Sequence, residues 1–364
     1  MTRWTWFVVL AIVLVATAAE TAATKARGSE TKATIQAGQG RRLAVVGYVP
    51  EYRYGTIDWT GVSERVTHVI LFSLEVGADG SVAAQERFPD AATYAAARAA
   101  TRRTGARLLV CFGGHGRSRG FGAVATQPAL RHAFVRNVGA FLDAHDLDGV
   151  DLNWERPRTR TEWAGLWALV AELADALHAR GRVLTMAAHP GDVPHLPRAA
   201  LTNLDLVLVM AYDAPCDSSY GNGNNKKAQQ QQCSHSPYAL ATAAIDVAAR
   251  AKVPLAKLAL GVPFYARDVR TGAAATYADL VREHGVDARP SVDHVAGWGY
   301  NGPRTLARKT RLAHARGLAG LMVWELGQDV RPDARGSLLA AIDSEVRRLA
   351  DGPSVTTRSN KDEL

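Results

Sequence analysis

From Leu43 onward, short apolar runs alternate with longer stretches in which apolar positions repeat at helical spacing. The i, i+4, i+7, i+8 pattern of a helix with one buried face is formed, for example, by Phe134, Val138, Phe141 and Leu142. The short apolar runs predict eight strands, at residues 43–48, 66–73, 107–113, 149–154, 183–188, 206–212, 258–264 and 320–324. A final helix is predicted over about residues 334–349.

Eight strands that are each followed by a helix predict an α/β fold of the (β/α)8 TIM-barrel type. A doubly wound parallel sheet is the alternative, but the barrel is the more economical arrangement of eight such units. Between the seventh and eighth strands, only about residues 268–301 precede a helix predicted at 304–316. The barrel is therefore expected to carry only a small insertion there.

Composition and charge exclude several classes of protein. Of 364 residues, 47% are hydrophobic and 21% charged, as in an ordinary folded chain. The net charge is +8, but the Arg residues are scattered, and a pair such as Arg102 and Arg103 is typical of a solvated helix face. No nucleic-acid partner is therefore predicted. Three Cys without a Cys-x-x-Cys spacing, and no paired His, indicate neither a metal nor an organic cofactor.

Both ends of the chain have the features of targeting segments. Residues 1–24 predict a signal peptide, with Arg3 before the apolar run 4–19 and small residues at 16–18 for cleavage. That run is shorter than the roughly 20 residues of a bilayer span, so no membrane contact is predicted beyond a possible uncleaved signal. Residues 25–41 carry few large apolar side chains and predict a flexible leader. The folded domain is predicted over residues 42–350, followed by a tail at 351–364.

The tail ends in a retention signal that a KDEL-type receptor reads, formed by Lys361, Asp362, Glu363 and Leu364. Together with the signal peptide, it predicts residence in the lumen of the endoplasmic reticulum (ER). Because that compartment is oxidising, Cys216 and Cys233 are predicted to form a disulfide. Cys111 lies in an apolar run and is predicted to be a buried free thiol.

The fourth predicted strand carries the most informative polar pattern, Asp-Gly-Val-Asp-Leu-Asn-Trp-Glu at residues 148–155. Side chains alternate along a strand, so Asp151, Asn153 and Glu155 share one face. Asp148 is out of that register and is predicted to be structural. Polar side chains inside a barrel are costly unless they form a network, and burial raises the pKa of a carboxyl group. The pattern predicts Glu155 as a proton donor, with a polar plug in the barrel core as the alternative.

With these residues the sequence resembles glycoside hydrolase family 18, the chitinase and endo-β-N-acetylglucosaminidase family, whose fourth strand carries Asp-x-x-Asp-x-Asp-x-Glu. The resemblance covers about residues 43–349 and includes five further motifs in order along the strands. They are Gly47-Tyr48, Cys111 to Gly114 (Ser-x-Gly-Gly in the family), Met210 to Asp213 (Met-x-Tyr-Asp), Tyr265-x-Arg267 and Gly320 to Trp324 (Gly-x-Met-x-Trp). Each motif is weak alone, and their common order makes the resemblance specific.

The resemblance implies cleavage of β-1,4-linked N-acetylglucosamine by a substrate-assisted retaining mechanism. Glu155 would protonate the glycosidic oxygen, and the acetamido carbonyl of the sugar would attack the anomeric carbon. Tyr212 would donate to the acetamido oxygen, residue 153 would accept from its N–H, and Asp151 completes the implied catalytic set. The implied substrates are chitin oligosaccharides or the chitobiose core of N-glycans, and a small insertion favours an open groove and endo-type cleavage.

Eight other residues are implied to contact the substrate. Asp213 and Tyr265 would hold the distorted sugar, and Arg267 would contact the carbohydrate. Trp324 would form an apolar floor under the sugar ring. The remaining four are Tyr48, Gly113, Gly114 and Met210.

One departure from the family pattern bears on activity, because the middle Asp of the motif is Asn153 here. An amide oxygen can accept the acetamido N–H, but the side chain can neither carry negative charge nor exchange a proton with Glu155. We therefore predict a slowed but active glycosidase. The alternatives are a catalytically silent protein that binds chito-oligosaccharides, and an ER interaction scaffold without a sugar function.

Overall fold

The computed structural model describes residues 42–215 and 234–352. Residues Leu43–Arg347 form one compact unit, and a second unit, Met1–Arg42 with Arg348–Leu364, contains few described residues. The predicted signal peptide, the leader at 25–41, the Cys216–Cys233 disulfide and the retention tetrapeptide all lie outside the described residues. They stay predictions, as do the domain boundaries.

Eight parallel strands close into a ring, and the predicted (β/α)8 barrel is confirmed. The described residues contain the strands β1 (Ala44–Pro50), β2 (His68–Val76), β3 (Val82–Ala83), β4 (Arg107–Gly113), β5 (Gly149–Asn153), β6 (Val183–Ala188), β7 (Leu206–Val209), β8 (Leu258–Pro263), β9 (Tyr265–Asp268), β10 (Ala274–Thr276), β11 (His294–Val295), β12 (Trp298–Gly299) and β13 (Gly320–Trp324). The ring runs β1, β13, β8, β7, β6, β5, β4, β2, and β2 pairs with β1 to close it.

Helices follow the barrel strands along the chain. They are α1 (Trp59–Ser63), α2 (Ala91–Thr104), α3 (Phe121–Thr126), α4 (Pro128–Ala144), α5 (Arg160–His178), α6 (Arg198–Asn203), α7 (Tyr238–Arg250), α8 (Tyr277–His284), α9 (Pro303–Ala315) and α10 (Leu338–Ala350). The barrel core contains apolar residues from its strands, such as Val46, Ile70, Leu109, Leu208 and Met322. The strand β5 is buried along its whole length, although it carries Asp151 and Asn153.

The short apolar runs predicted most strand boundaries to within about two residues of those in the structure. Three predicted strands match to the residue: 107–113, 183–188 and 320–324. The sixth predicted strand, 206–212, is shorter in the structure: β7 ends at Val209, and the Ala211 N–H donates back to the Val209 carbonyl at 2.8 Å. The last helix starts at Leu338, later than predicted, because the Asp329 carboxylate accepts main-chain N–H groups of its first turn.

The insertion between β8 and β13 is small, as predicted. It is a four-stranded sheet in the order β10, β9, β12, β11, with antiparallel pairs, and it contains α8. β9 begins two residues after β8 ends. Tyr265 and Arg267 are two positions apart on β9 and therefore share one face of this sheet.

Candidate active site

Asp151 anchors a polar row inside the barrel. Its side chain is fully buried; Tyr48 on β1 donates its O–H to Oδ2 at 2.8 Å, and Thr185 on β6 donates to Oδ1 at 2.7 Å. Because β1 and β5 are not neighbours in the ring, the bond from Tyr48 crosses the barrel interior. Burial raises the pKa of Asp151, and the two hydrogen bonds oppose that rise.

Asn153 is the next residue of the row and has an unused acceptor. The residue is 4% exposed, and its Oδ1 accepts no hydrogen bond from the residues that the structure describes. Its main-chain carbonyl accepts the Gly114 N–H at 2.6 Å. An unpaired buried acceptor costs about 1–3 kcal/mol, which a donor group on a bound ligand would recover.

Glu155 follows β5, where the barrel opens. Its side chain is 29% exposed, and Nδ1 of His115 lies 3.5 Å from Oε2. Burial raises the pKa of Glu155, contacts with His115 and Asn153 lower it, and the net shift is upward. Its main-chain N–H donates to Ser118 Oγ at 3.1 Å. A partly buried carboxyl group with a raised pKa is suited to proton donation.

Tyr212 is a hydrogen-bond donor near this carboxyl group. Burial, followed by the charges of Asp213, Glu155 and Asp151, raises the pKa of Tyr212 well above its ordinary value. The phenol therefore keeps its proton at physiological pH. Its oxygen lies 3.8 Å from Met322 Sδ.

Asp213, Tyr265 and Arg267 form a cluster beyond the ends of β7 and β8. Arg267 Nε donates to Asp213 Oδ1 at 2.9 Å, and its guanidinium lies over the Tyr265 ring, 5.2 Å from the centroid. Burial alone would raise the pKa of Asp213, but contacts with His235, Arg267 and Tyr265 hold that pKa well below its usual range. The cluster thus presents an ionised carboxylate beside the Tyr212 ring, which meets Tyr265 edge to face at 6.3 Å.

The aromatic rings of Tyr48, Phe72 and Trp324 pack against one another. The ring centroid of Trp324 lies 5.3 Å from that of Tyr48 and 4.7 Å from that of Phe72. Gly114 has φ +106°, and a Cβ there would lie 2.3 Å from Phe72 Cζ. Gly113 has φ +97°, and a Cβ there would lie 2.4 Å from the last carbonyl oxygen of β5. Only glycine therefore allows the end of β4 to pack this closely against β5 and Phe72.

A cavity of about 120 Å³ opens beside Glu155. An ion pair of 2.6 Å joins two of its lining residues, Arg156 and Asp192. Apolar side chains also line it, among them Trp154 and Met210, so Met210 shares this cavity with Glu155. The cavity therefore has both polar and apolar walls and meets the polar row only at Glu155, since Asn153, Tyr212 and Trp324 do not line it.

Residues 42–215 and 234–352 contain neither a metal-binding cluster nor a membrane-spanning helix. No group of three or more His, Cys, Asp or Glu side chains in that part of the chain could hold a metal ion. None of its helices is long and apolar enough to cross a membrane. Cys111 is a buried free thiol, and it lies close enough to Asp151 to hydrogen-bond to its carboxyl group.

The family sequence model of the glycosyl hydrolases family 18 matches residues 44–329. The chain belongs to this family. Chitinase 1 of Aphanocladium album is 27% identical over 236 residues, which cover 56% of this chain and 56% of that protein. Probable chitinase 10 of Drosophila melanogaster is 33% identical over 129 residues, covering 31% of this chain and 6% of that protein. The chain thus spans about half, or much less, of the length of these relatives.

Solved family 18 structures share the fold. The chitinase ChiB of Flavobacterium johnsoniae has a TM-score of 0.69 at 24% identity, covering 84% of this chain and 94% of that chain. A class V chitinase mutant from Nicotiana tobaccum, solved in complex with NAG4, has a TM-score of 0.67 at 20% identity. That match covers 84% of this chain and 99% of the other.

Sequence reasoning missed several residues of this family 18 site. Thr185 was detectable, because it is a polar residue within the apolar run of β6. His115, Ser118 and His235 lie in loops, and no spacing in the sequence connects them with Glu155 or Asp213. Phe72 could not be separated from ordinary core packing.

Tyr48→Phe is expected to lower the free energy of unfolding by about 1–3 kcal/mol, because it leaves one oxygen of the buried Asp151 carboxyl group without its donor. Urea denaturation followed by circular dichroism measures the change. Tyr52→Phe is the matched control, since Tyr52 is 61% exposed and its variant should stay within about 0.5 kcal/mol of wild type. Equal stability of the two variants would contradict a structural role for the bond across the barrel.

Proposed function

We propose that the protein hydrolyses β-1,4-linked N-acetylglucosamine with retention of configuration, using Glu155 as general acid and base. The single observation that carries the proposal is the raised pKa of the partly buried Glu155 at the open end of the barrel. The Glu155 charge also acts on the pKa of Tyr212, so the two groups serve one site. Membership of family 18 supports the same reaction class.

In the proposed mechanism, Glu155 gives its proton to the glycosidic oxygen as the bond to the anomeric carbon breaks. The acetamido oxygen of the same sugar bonds to that carbon and forms an oxazolinium ion. The Glu155 carboxylate then takes a proton from water, which opens the oxazolinium ring and restores the acid. Two displacements at one carbon leave its configuration retained.

Two side chains would orient the acetamido group. The Tyr212 phenol keeps its proton and can donate to the acetamido oxygen. The Oδ1 of Asn153, which has no donor among the described residues, can accept the acetamido N–H. The ionised Asp213, with Tyr265 and Arg267, would hold the sugar hydroxyls.

The substrate class has further support from two solved relatives. The Nicotiana tobaccum chitinase mutant binds NAG4, and a cycad (Cycas revoluta) chitinase mutant binds (GlcNAc)4. We propose that the groove of this chain also takes N-acetylglucosamine oligomers and cleaves within them. The predicted ER location favours the chitobiose core of N-glycans as the physiological substrate, because glycoproteins are abundant there.

A silent chito-oligosaccharide-binding protein is the second candidate, and Asn153 is the observation that favours it. The test incubates the purified full-length protein with chitohexaose and with a chitobiose-core glycopeptide, followed by mass spectrometry of the products. Cello-oligosaccharide is the matched control, because it lacks the acetamido group that the mechanism needs. Shorter N-acetylglucosamine products are expected, with cello-oligosaccharide intact. Binding without products would select the second candidate, and neither binding nor products would select a scaffold.

A further inference from the structure

The segment Ser234–Ser236 forms hydrogen bonds with residues 211–214, which follow β7. Ala214 N–H donates to the His235 carbonyl at 2.9 Å, and Ser236 Oγ donates to the Ala211 carbonyl at 2.8 Å. These bonds flank Asp213 on both sides. The position of this segment therefore controls the backbone that carries Asp213.

His235 contacts two residues of the site at once. The residue is 3% exposed, and its Nε2 lies 3.2 Å from the Tyr265 carbonyl oxygen, so Nε2–H is the donor there. The Nδ1 atom then accepts the main-chain N–H of Asp213 at 3.3 Å, and it lies 3.4 Å from Asp213 Oδ1. The imidazole also packs on the Tyr265 ring, with centroids 4.7 Å apart.

Asp213 needs such support because its backbone is left-handed. Its φ is +59°, a conformation that costs a non-glycine residue about 1–2 kcal/mol. In this conformation its carboxylate meets Arg267 Nε at 2.9 Å. If the bond from Asp213 N–H to His235 were lost, the residue could relax to negative φ and its carboxylate would leave Arg267.

A buried lysine on α9 anchors the segment Ser234–Ser236. Lys309 on α9 is fully buried, and its Nζ donates to the Ser236 carbonyl at 2.7 Å, to Ser236 Oγ at 2.8 Å and to Asn301 Oδ1 at 2.7 Å. Two of these three bonds go to Ser236 and fix it relative to α9. His235 is thereby fixed as well, because it is the preceding residue.

We propose that His235 is a positioning residue of the glycosidase site: through Nδ1 it holds Asp213 in the left-handed conformation that pairs it with Arg267. The inference rests on the proposed function for its kinetic consequence. His235 touches no reacting atom and acts through Asp213. His235 thus supports the site from outside the strand motifs, in a segment that none of those motifs includes.

Two variants of His235 test the roles of its two ring nitrogens separately. In His235→Asn, the amide oxygen takes the place of Nδ1 and can still accept the Asp213 N–H. In His235→Gln, the longer side chain reaches the Tyr265 carbonyl and leaves Asp213 unsupported. We expect kcat/KM on chitohexaose to stay within about threefold of wild type for His235→Asn and to fall about tenfold for His235→Gln, mainly in kcat.

Thermal unfolding of both variants controls for a purely structural role, and each is assayed well below its melting temperature. A double-mutant cycle with Asp213→Ala tests whether His235 acts through Asp213. In that background, His235→Gln should lower kcat/KM by less than threefold, because the carboxylate is absent. Equal losses in both variants, or a full tenfold loss in the Asp213→Ala background, would overturn the proposal. A wild-type protein that neither cleaves nor binds chitohexaose would instead overturn the proposed function on which it rests.

Discussion

Glu155→Gln is expected to lower kcat on N-acetylglucosamine oligomers by about 10²–10⁴-fold, the usual contribution of a general acid. Gln has nearly the shape of Glu but no proton to give to the glycosidic oxygen. The affinity for the oligomer should change little, because the proposed sugar contacts at Asp213, Arg267 and Trp324 are unaltered. Steady-state kinetics on a fluorogenic chito-oligosaccharide measures kcat, and calorimetric titration measures affinity.

The pH dependence gives a second readout of the same residue. Because burial raises the pKa of Glu155, wild-type kcat/KM should fall as pH rises through that pKa, since the acid loses its proton. The Glu155→Gln variant should lack this limb. Glu64→Gln is the matched control: Glu64 lies between α1 and β2, at the opposite end of the barrel, with its side chain 51% exposed. If wild type is no faster than Glu155→Gln, Glu155 is not the general acid, and oligomer binding then distinguishes a lectin from a scaffold.

Asn153→Asp is expected to raise kcat by roughly 5–30-fold, which corresponds to about 1–2 kcal/mol. A carboxylate at position 153 would balance the positive charge of the oxazolinium ion and strengthen the bond to the acetamido N–H. It could also exchange a proton with Glu155. The Oδ1 of Asn153, unpaired among the described residues, is retained in the variant and can still accept the acetamido N–H, while the new oxygen replaces Nδ2.

The same substitution should cost stability. It places a carboxyl group at a buried position between the fully buried Asp151 and the partly exposed Glu155, and like charges oppose its ionisation. Urea denaturation should show a lower free energy of unfolding for Asn153→Asp than for the control Asn203→Asp at the end of α6, on the opposite end of the barrel. A variant that is folded and saturable but no faster than wild type would mean that charge at position 153 does not limit the reaction.

The barrel could be predicted because local patterning and global fold agree. Apolar runs such as 183–188 have the length and spacing of buried strands, and the structure has those strands at the same residues. The polar row of β5 was equally visible, because alternation alone places Asp151, Asn153 and Glu155 on one face. Family resemblance then supplied chemical roles that alternation cannot supply.

The supporting groups could not be predicted, because closure of the barrel creates their contacts. Asp213 and His235 are 22 positions apart, and Tyr48 and Asp151 are 103 apart, so no local spacing connects either pair. His115 and Ser118 belong to the loop after β4, whose path depends on packing of the two glycines against Phe72 and β5. Such contacts follow from tertiary geometry rather than from sequence pattern.

The small sheet attached after β8 makes groove length and bond breaking separately adjustable. Tyr265 and Arg267 lie on its inner strand β9, next to the barrel, while residues 270–274 at the β9–β10 turn are exposed. A longer hairpin grafted at this turn would leave β9 unchanged, and with it the proposed sugar contacts of Tyr265 and Arg267. Natural selection, or an engineer, can thus lengthen the time that a polysaccharide stays bound by changing only this exposed turn.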